Sequence, residues 1–294
     1  MDISGCIDIG VYRDIDQSWQ TGPIQRSHLQ FSGAEPLAAG MTAVFTLSHR
    51  FETDTGGNEL SNKPLWHGES TLGLKGAFGS ILFGRRMDAM YSNDWSFDPW
   101  NYFDRIASPG WDLWHRNYAS DPKGNNLTPE YGRLNNGIFY DSPDLGGLTV
   151  HLSGSPELSA GDRNHPLTSA VQYRSGVFSG MVSRGKNSAD HTANFVGLRA
   201  TFAQFSVMGA YDVSKADSST AKAVTLGALY TSGTVTWKAG VGQVKVDGIQ
   251  AERMAGLGAT YRLSGRTSVY ADLAHKRYPA RSASTYGVGL NHRF

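Results

Sequence analysis

Residues 66–87 read WHGESTLGLKGAFGSILFGRRM. Leu72 and Leu74 alternate with Glu69, Thr71 and Lys75, and after the step GlyAlaPheGly at 76–79 the apolar face returns at Ile81 and Phe83. A period of two on both arms, joined by a glycine-bounded turn, predicts a β-hairpin with one polar and one apolar face.

The pattern extends in both directions. On residues 2–13, Ile3, Ile7, Ile9 and Val11 share a face opposite Cys6, Asp8 and Gly10. On 24–35, Leu29 and Phe31 oppose Arg26, His28 and Gln30, and on 40–52, Met41, Ala43, Phe45 and Leu47 oppose Thr42, Thr46, Ser48 and Arg50. Downstream, strands are predicted near 132–142, 147–156, 167–176, 178–186, 193–203, 205–214, 222–231, 234–245, 252–263, 266–276 and 283–294. SerGly at 232–233 and 264–265 read as tight turns, KNSADHT (186–192) and KADSSTA (215–221) as longer links. An even set of about sixteen strands, with short turns at one end and longer loops at the other, predicts an all-β transmembrane antiparallel barrel. Trp66, Tyr140, Tyr173, Tyr230, Trp237, Tyr261, Tyr286 and Phe294 lie near strand ends, where interfacial aromatic girdles belong.

Between the two arms of this series stands a segment that does not alternate. Residues 85–133 hold Trp95, Trp100, Trp111 and Trp114, the acids Asp88, Asp94, Asp98, Asp104, Asp112, Asp121 and Glu130, and at their ends Arg85, Arg86 and Arg133. A connection of this length is functional or disordered, and its aromatic content argues against disorder. It reads as a folded insert held by the ring.

Composition narrows the choice. The formal net charge is +1, which lends no support to nucleic-acid binding. The lone Cys6 excludes an intramolecular disulfide framework and a cysteine-cluster metal site. No apolar run of about 18 residues is present, so a spanning helix is not expected; a mean hydropathy of −0.36 fits a soluble protein or a barrel whose strands average out polar. No charged-then-apolar leader precedes the first strand, and Met1 before DISGCIDIGVYR suggests a mature form with an added start codon. One domain over 1–294 is expected, with 88–131 as its insert.

At this point the chain resembles a trimeric Gram-negative general porin, of the type common in beta-proteobacteria. DISGCIDIGV resembles that family's first strand, and HLQFSGAEPLAAGMTAVFTL its second hairpin. LGLKGAFGSILFGRR resembles the strand pair ending in Gly-Arg before the constriction loop, and RLNNGIFYDSPDLGGLTV the strand that follows it. LSGRTSVYADLAHK and YGVGLNHRF resemble the final hairpin with its C-terminal Phe. The resemblance implies a sixteen-stranded barrel, a homotrimer, contact with outer-membrane lipid and lipopolysaccharide, and a third loop folded into the lumen. It implies passive diffusion of small hydrophilic solutes, with no enzyme activity, cofactor, metal or nucleic-acid partner. By position it assigns Arg26, His28, Arg50, Arg85, Arg86 and Arg133 to a basic wall of the pore constriction, His28 standing where the family commonly has arginine. Arg85 shares parity with Phe83, while Arg86 has the inward parity. Asp94, Asp98 and Asp104 are the expected pore-facing acids. Inward parity also collects Arg174, Lys238 and Arg293 against Asp8, Glu69 and Asp272, which points to a mild anion preference.

Other readings stay open on the sequence. Trp95, Trp100, Trp111 and Trp114 pack the loop or line a track for sugars or aromatic and organic acids in a substrate-specific channel. A barrel enzyme lacks support, since Gly-x-Ser-x-Gly, His-Glu-x-x-His and a phosphate loop are missing. A soluble β-rich binding protein would place the apolar faces in a core.

Overall fold

Segments that alternate this regularly can bury one face only by pairing side by side, and here they pair until the sheet meets itself. A computed structural model describes residues 1–59, 63–122 and 132–294; the expected insert residues 123–131, Glu130 among them, lie outside the described residues. The strands are β1 (Asp2–Arg13), β2 (Trp19–Gly22), β3 (Ser27–Pro36), β4 (Thr42–Phe51), β5 (Glu69–Gly76) and β6 (Gly79–Met87). After the insert come β7 (Arg133–Asp141), β8 (Leu148–Gly154), β9 (Leu167–Ser175), β10 (Phe178–Lys186), β11 (Thr192–Phe202) and β12 (Phe205–Ala216). The series ends with β13 (Ser219–Ser232), β14 (Val235–Val246), β15 (Ile249–Arg262), β16 (Thr267–Arg277) and β17 (Ser282–Arg293).

From β3 onward each strand pairs antiparallel with its sequence neighbour, and β17 pairs with β1 from Cys6↔Arg293 to Arg13↔Tyr286. Closure leaves no edge, so the ladder satisfies the backbone donors and acceptors that hydrocarbon cannot. β2 and β3 are two pieces of one barrel strand, both paired to β1, which makes the ring sixteen-stranded. Asp8 bridges the interruption. Its Oδ1 accepts from the Ile24 and Gln25 amides, both at 3.0 Å, and its backbone N–H donates to Ser27 Oγ at 2.9 Å. Tyr270 Oη and Asn291 Nδ2 also donate to its carboxylate, at 2.8 and 3.0 Å. Arg26, next to the interruption, lines the lumen cavity.

A second irregularity precedes the insert. The β6–β7 register shifts between Gly84 and Arg86, and Gly84 sits at φ 124, where a Cβ would meet the Ser70 carbonyl at 2.1 Å. Only glycine adopts this conformation without strain.

The apolar faces point outward. Leu72, Leu198, Leu226 and Leu257 are 61–65 % exposed, so these faces are not a core. That is the lipid-facing side of a barrel. Tyr173, Phe178, Phe202, Phe205, Tyr230, Trp237 and Tyr261 are exposed near the end that carries the turns at 176–177, 203–204 and 233–234. The other end carries the connections 52–68, 88–132, 155–166 and 187–191, the longer loops of the external side. Not every external connection is long. β12 and β13 run on through most of KADSSTA, leaving only 217–218 as a turn, and AspGly at 247–248 closes β14 to β15. Asp217 and Asp247 take φ of 48° and 50°, and the Asp247 Oδ1 accepts the Thr220 amide at 2.7 Å; polar caps of this kind permit left-handed turns where the sequence looks like a loop. No described helix is long and apolar enough to cross a membrane, a statement that leaves strands untouched.

Asp8→Ala would strand several donors at once, each costing about 1–3 kcal/mol when left unmet. Urea unfolding in lipid vesicles is expected to show a loss of about 2 kcal/mol or more; an unchanged midpoint would show that water replaces the carboxylate.

Candidate functional site

The insert begins as a series of turns, and a turn-rich chain exposes many amide donors that no ladder satisfies. Its aspartates meet that need. Asp88 Oδ1 accepts from the Met90 and Tyr91 amides, both at 2.9 Å. Asp98 Oδ2 accepts from Trp100 and Tyr102 at 2.8 and 3.1 Å, Oδ1 from Gly110 at 3.0 Å, and Ser108 Oγ donates to the same carboxylate at 3.0 Å. Asp104 Oδ1 accepts from Ile106 and Ala107 at 2.9 and 2.8 Å. Ser108 then caps a short helix, α1 (Pro109–Leu113), through the Trp111 amide at 3.1 Å.

Other bonds fasten the insert to the wall formed by β12–β17. Trp100 Nε1 donates to Asp272 at 2.6 Å and Trp114 Nε1 to Thr225 Oγ1 at 3.2 Å. Lys276 Nζ lies 2.5 Å from Asp112, and Arg116 lies 3.0 Å from Glu252. The wall is bare where the insert presses. A Cβ on Gly240 would meet Pro109 at 2.8 Å, and one on Gly256 would meet the Ala107 carbonyl at 2.6 Å.

Beside the insert lies a cavity of about 730 Å³, lined mainly from β1 and β3–β7 and completed by Lys238, Thr260, Ser268 and Arg293 of β14–β17. Among the described residues its lining includes Arg26, Arg50, Arg86, Arg133, Lys238, Arg293 and His28, with Glu69 as its carboxylate. Arg26 stacks over Trp111 with its guanidinium carbon 4.5 Å from the ring centroid. Arg133 Nε donates to the Gly68 carbonyl. Arg86 ion-pairs with Asp141 at 2.8 Å, and Asp141 also lies 2.6 Å from His151. Arg85 does not line this cavity. The bulge at Gly84 turns it aside, where Nε donates to the His67 carbonyl and Nη1 to Asn135 Oδ1 at 2.9 and 2.6 Å.

The expected facing acids need correction. Asp94, Asp98 and Asp104 are each 1 % exposed and do not line the cavity. The insert's own amides and His115 engage them instead. The carboxylate that reaches the arginines comes from the connection 52–68. Glu59 lies 3.1 Å from Arg26 and 3.8 Å from Arg50, with His67 at 3.9 Å. Burial works to raise its pKa, and Arg26, His67 and Arg50 outweigh that and hold it well below the usual carboxylate range. No local motif marks Glu59. The loop aspartates did carry a signal, since Asp88, Asp98 and Asp104 each cap an amide two residues on, the spacing of an Asx turn.

The tryptophans divide. Trp100 and Trp114 are buried at 3 % exposure, Trp114 edge-on to Phe195 at 4.9 Å. Trp111 is covered by Arg26, while Trp95 is 43 % exposed, bonded to the Ser92 carbonyl at 2.9 Å and away from the cavity lining. They do not form a continuous aromatic track through the described lumen.

The family model described as Gram-negative porin matches residues 1–281. The chain belongs to the Gram-negative porin family. It is therefore a barrel of the bacterial outer membrane and a diffusion channel. Among solved structures it is similar to an anion-selective porin from Comamonas acidovorans, with TM-score 0.84, 19 % identity, and coverage of 100 % of this chain and 99 % of that one. A Salmonella typhi OmpF complex with daunomycin gives TM-score 0.78 at 15 % identity, covering 100 % and 97 %. The trimer form of Vibrio cholerae OmpT gives 0.74 at 12 %, covering 100 % and 98 %. A comparison with curated protein sequences finds no match.

In this porin the deepest tie between insert and wall is His115. Its Nε2 lies 2.8 Å from Asp94 and its Nδ1 2.7 Å from Asp212 of β12, and the Asp212 carboxylate also accepts the His115 amide at 3.0 Å. Tyr91 covers the ring at 4.5 Å. Burial alone would lower the imidazolium pKa; Asp212 and Asp94 outweigh it and raise it to about 10. A raised pKa makes this clamp fully effective below the free histidine range, about 6.5, and lost as pH climbs through about 10. Single-channel recordings are expected to be quiet at pH 7 and to flicker above pH 10, as the insert loosens. His115→Phe should flicker at both values; a pH response that survives this substitution would place the titration elsewhere.

Proposed function

We propose that this porin is a general diffusion pore with an anion preference, narrowed by the insert at 88–131 and working as a homotrimer in contact with outer-membrane lipid and lipopolysaccharide. The observation that carries the preference is the cavity lining, in which, among the described residues, six Arg and Lys side chains accompany one acidic side chain, Glu69. Rings of fixed charge select ions at close quarters. Glu59 and Asp141 offset part of the excess through Arg26, Arg50 and Arg86, which makes the preference mild. One similar solved structure is an anion-selective porin and another a trimer, and both agree with this reading. Of the four tryptophans only Trp100 lines the cavity, so among the described residues the solute-specific alternative has no continuous aromatic track. No step of this function involves bond making or breaking.

A unit charge about 4 Å from a permeating ion in water-like surroundings is worth about 1 kcal/mol, roughly fivefold in the local ion ratio. In a potassium chloride gradient across a planar bilayer, the reversal potential is expected to favour chloride. Arg50→Gln and Arg133→Gln should each move the chloride-to-potassium ratio toward one by about twofold to fivefold. Glu59→Gln should move it the other way, which a general loss of structure would not do. Clear cation selectivity of the unaltered protein would overturn the anion reading.

A further inference from the structure

Fixed charge along the lumen changes sign between its two ends. At the short-turn, periplasmic ends of the strands, Lys75 of β5, Arg174 of β9, Arg199 of β11 and Arg262 of β15 share the inward parity of the buried Thr71, Gln172, Phe195 and Glu252. Arg174 donates to Gln172 Oε1 at 3.2 Å, Arg199 to the Ser96 carbonyl at 3.2 Å and Arg262 to the Gly233 carbonyl at 3.1 Å, all neutral acceptors. Among the described residues none of these four cations forms an ion pair. They continue the basic lining begun by Lys238 and Arg293 of the cavity down to the periplasmic mouth. The inward acids at this end are Asp2 and Asp141, and Arg86 and His151 already engage Asp141.

The external mouth carries the opposite sign. Asp14 and Asp16 stand in the connection 14–18, and Glu52 and Asp54 open the connection 52–68 directly above Arg50. Asp54 overhangs the lumen, since a Cβ on the inward Gly22 of β2 would lie 3.5 Å from its carboxyl group. Across the mouth, a second cavity of about 240 Å³ is lined by Asp121, Glu157 and Asp162 and, among the described residues, by no lysine or arginine. Several cations at this end are matched locally. Lys276 and Arg116 meet Asp112 and Glu252, Lys63 lies near Glu59, and Arg105 offsets part of Glu52. Lys222, Lys245, Arg253 and Arg277 take the outward parity, across the barrel wall from the lumen.

Resting on the diffusion-channel reading above, we propose that this acidic external mouth and basic periplasmic mouth make the pore a rectifier, conducting more with the external side positive than with it negative. Fixed charge concentrates the opposite mobile ion within about a Debye length, about 10 Å at 0.1 M salt, so each mouth decides which ion enters through it. With the external side positive, anions enter past the periplasmic arginines and cations past the external carboxylates. Both arrive through the mouth that enriches them, and the lumen fills with carriers. With the external side negative, each ion must enter through the mouth that repels it, and the lumen is depleted. At vanishing voltage the conductance is the same in both directions, as passive diffusion requires.

The test records current against voltage for the full-length barrel in a planar bilayer with equal potassium chloride on both sides. An epitope inserted after Gly176, in a periplasmic turn, and an antibody added to one chamber report which way each channel points. At about 100 mV of either sign in 0.1 M salt, the external-positive current is expected to exceed the external-negative one by about 1.5-fold or more, and the ratio to approach one in 1 M salt, where screening shortens to about 3 Å. The combined variant Lys75→Gln, Arg174→Gln and Arg262→Gln should bring the low-salt ratio toward one. So should Asp14→Asn with Asp54→Asn and Glu157→Gln. In a salt gradient the first variant should shift the reversal potential toward potassium and the second toward chloride, a pair of opposite changes that a general loss of structure would not produce. Equal currents at both signs, a larger external-negative current, a ratio that survives 1 M salt, or a ratio unchanged in both variants overturns the proposal. Should a variant not fold, the salt dependence of the unaltered protein decides. Failure of the unaltered protein to conduct would instead overturn the channel reading itself.

Discussion

Pairing of β17 with β1 is the constraint on which the rest depends. Once the sheet closes, no strand edge remains to be satisfied, and a ladder of backbone bonds can stand in hydrocarbon where water cannot help. Closure also forces the two faces into different media. Side chains such as Leu226 and Leu257 can stay exposed because lipid solvates them, while the inward positions must pair, hydrate or pack. The break between β2 and β3 is tolerated because Asp8 replaces the lost ladder with its own acceptors.

A closed ring of sixteen strands leaves an interior too wide for its own side chains to fill, and the insert takes up part of that space. Its density of buried carboxylates would be prohibitive if they were idle, since an unpaired buried charge is strongly disfavoured. Each instead performs a local task. Asp88, Asp98 and Asp104 accept turn amides, and Asp94 shares His115 with Asp212. Burial raises the Asp98 carboxyl pKa against four donated hydrogen bonds, which marks the cost of holding it there. The insert is thereby fixed against the β12–β17 wall, while Arg26, Arg50 and Arg133 line the cavity from the other side.

The charge asymmetry of the lumen follows from this division. Acids of the insert are spent on folding it, so they do not neutralise the arginines across the cavity. Glu59, arriving from a different connection, moderates Arg26 and Arg50 but does not balance the full set. Stacking of Arg26 on Trp111 couples that basic wall back to the insert, a contact of the cation–π kind worth about 0.5–2 kcal/mol.

How much of this was legible in the residues is clearest at particular places. Alternation around WHGESTLGLKGAFGSILFGRRM and its continuation to Phe294 is a local property, because side-chain direction in a strand repeats every two residues whatever the fold. That period determined the strands, their inward and outward faces and, by its interruption, the insert. It also placed Arg26, His28, Arg50 and Arg86 on the inward face, since parity needs no tertiary information. It could not decide Arg85, whose direction turns on the bulge at Gly84, nor the length of the 217–218 and 247–248 turns, which Asp217 and Asp247 shorten by taking left-handed backbone. Least legible were the charge partners. His115 meets Asp94, 21 residues away, and Asp212 far along the chain, while Glu59 meets Arg26 across the β3–β4 hairpin. A carboxylate's partner depends on which loops fold inward and what they bury. That depends on closure of the whole ring, which no short stretch of sequence encodes and only the tertiary structure decided.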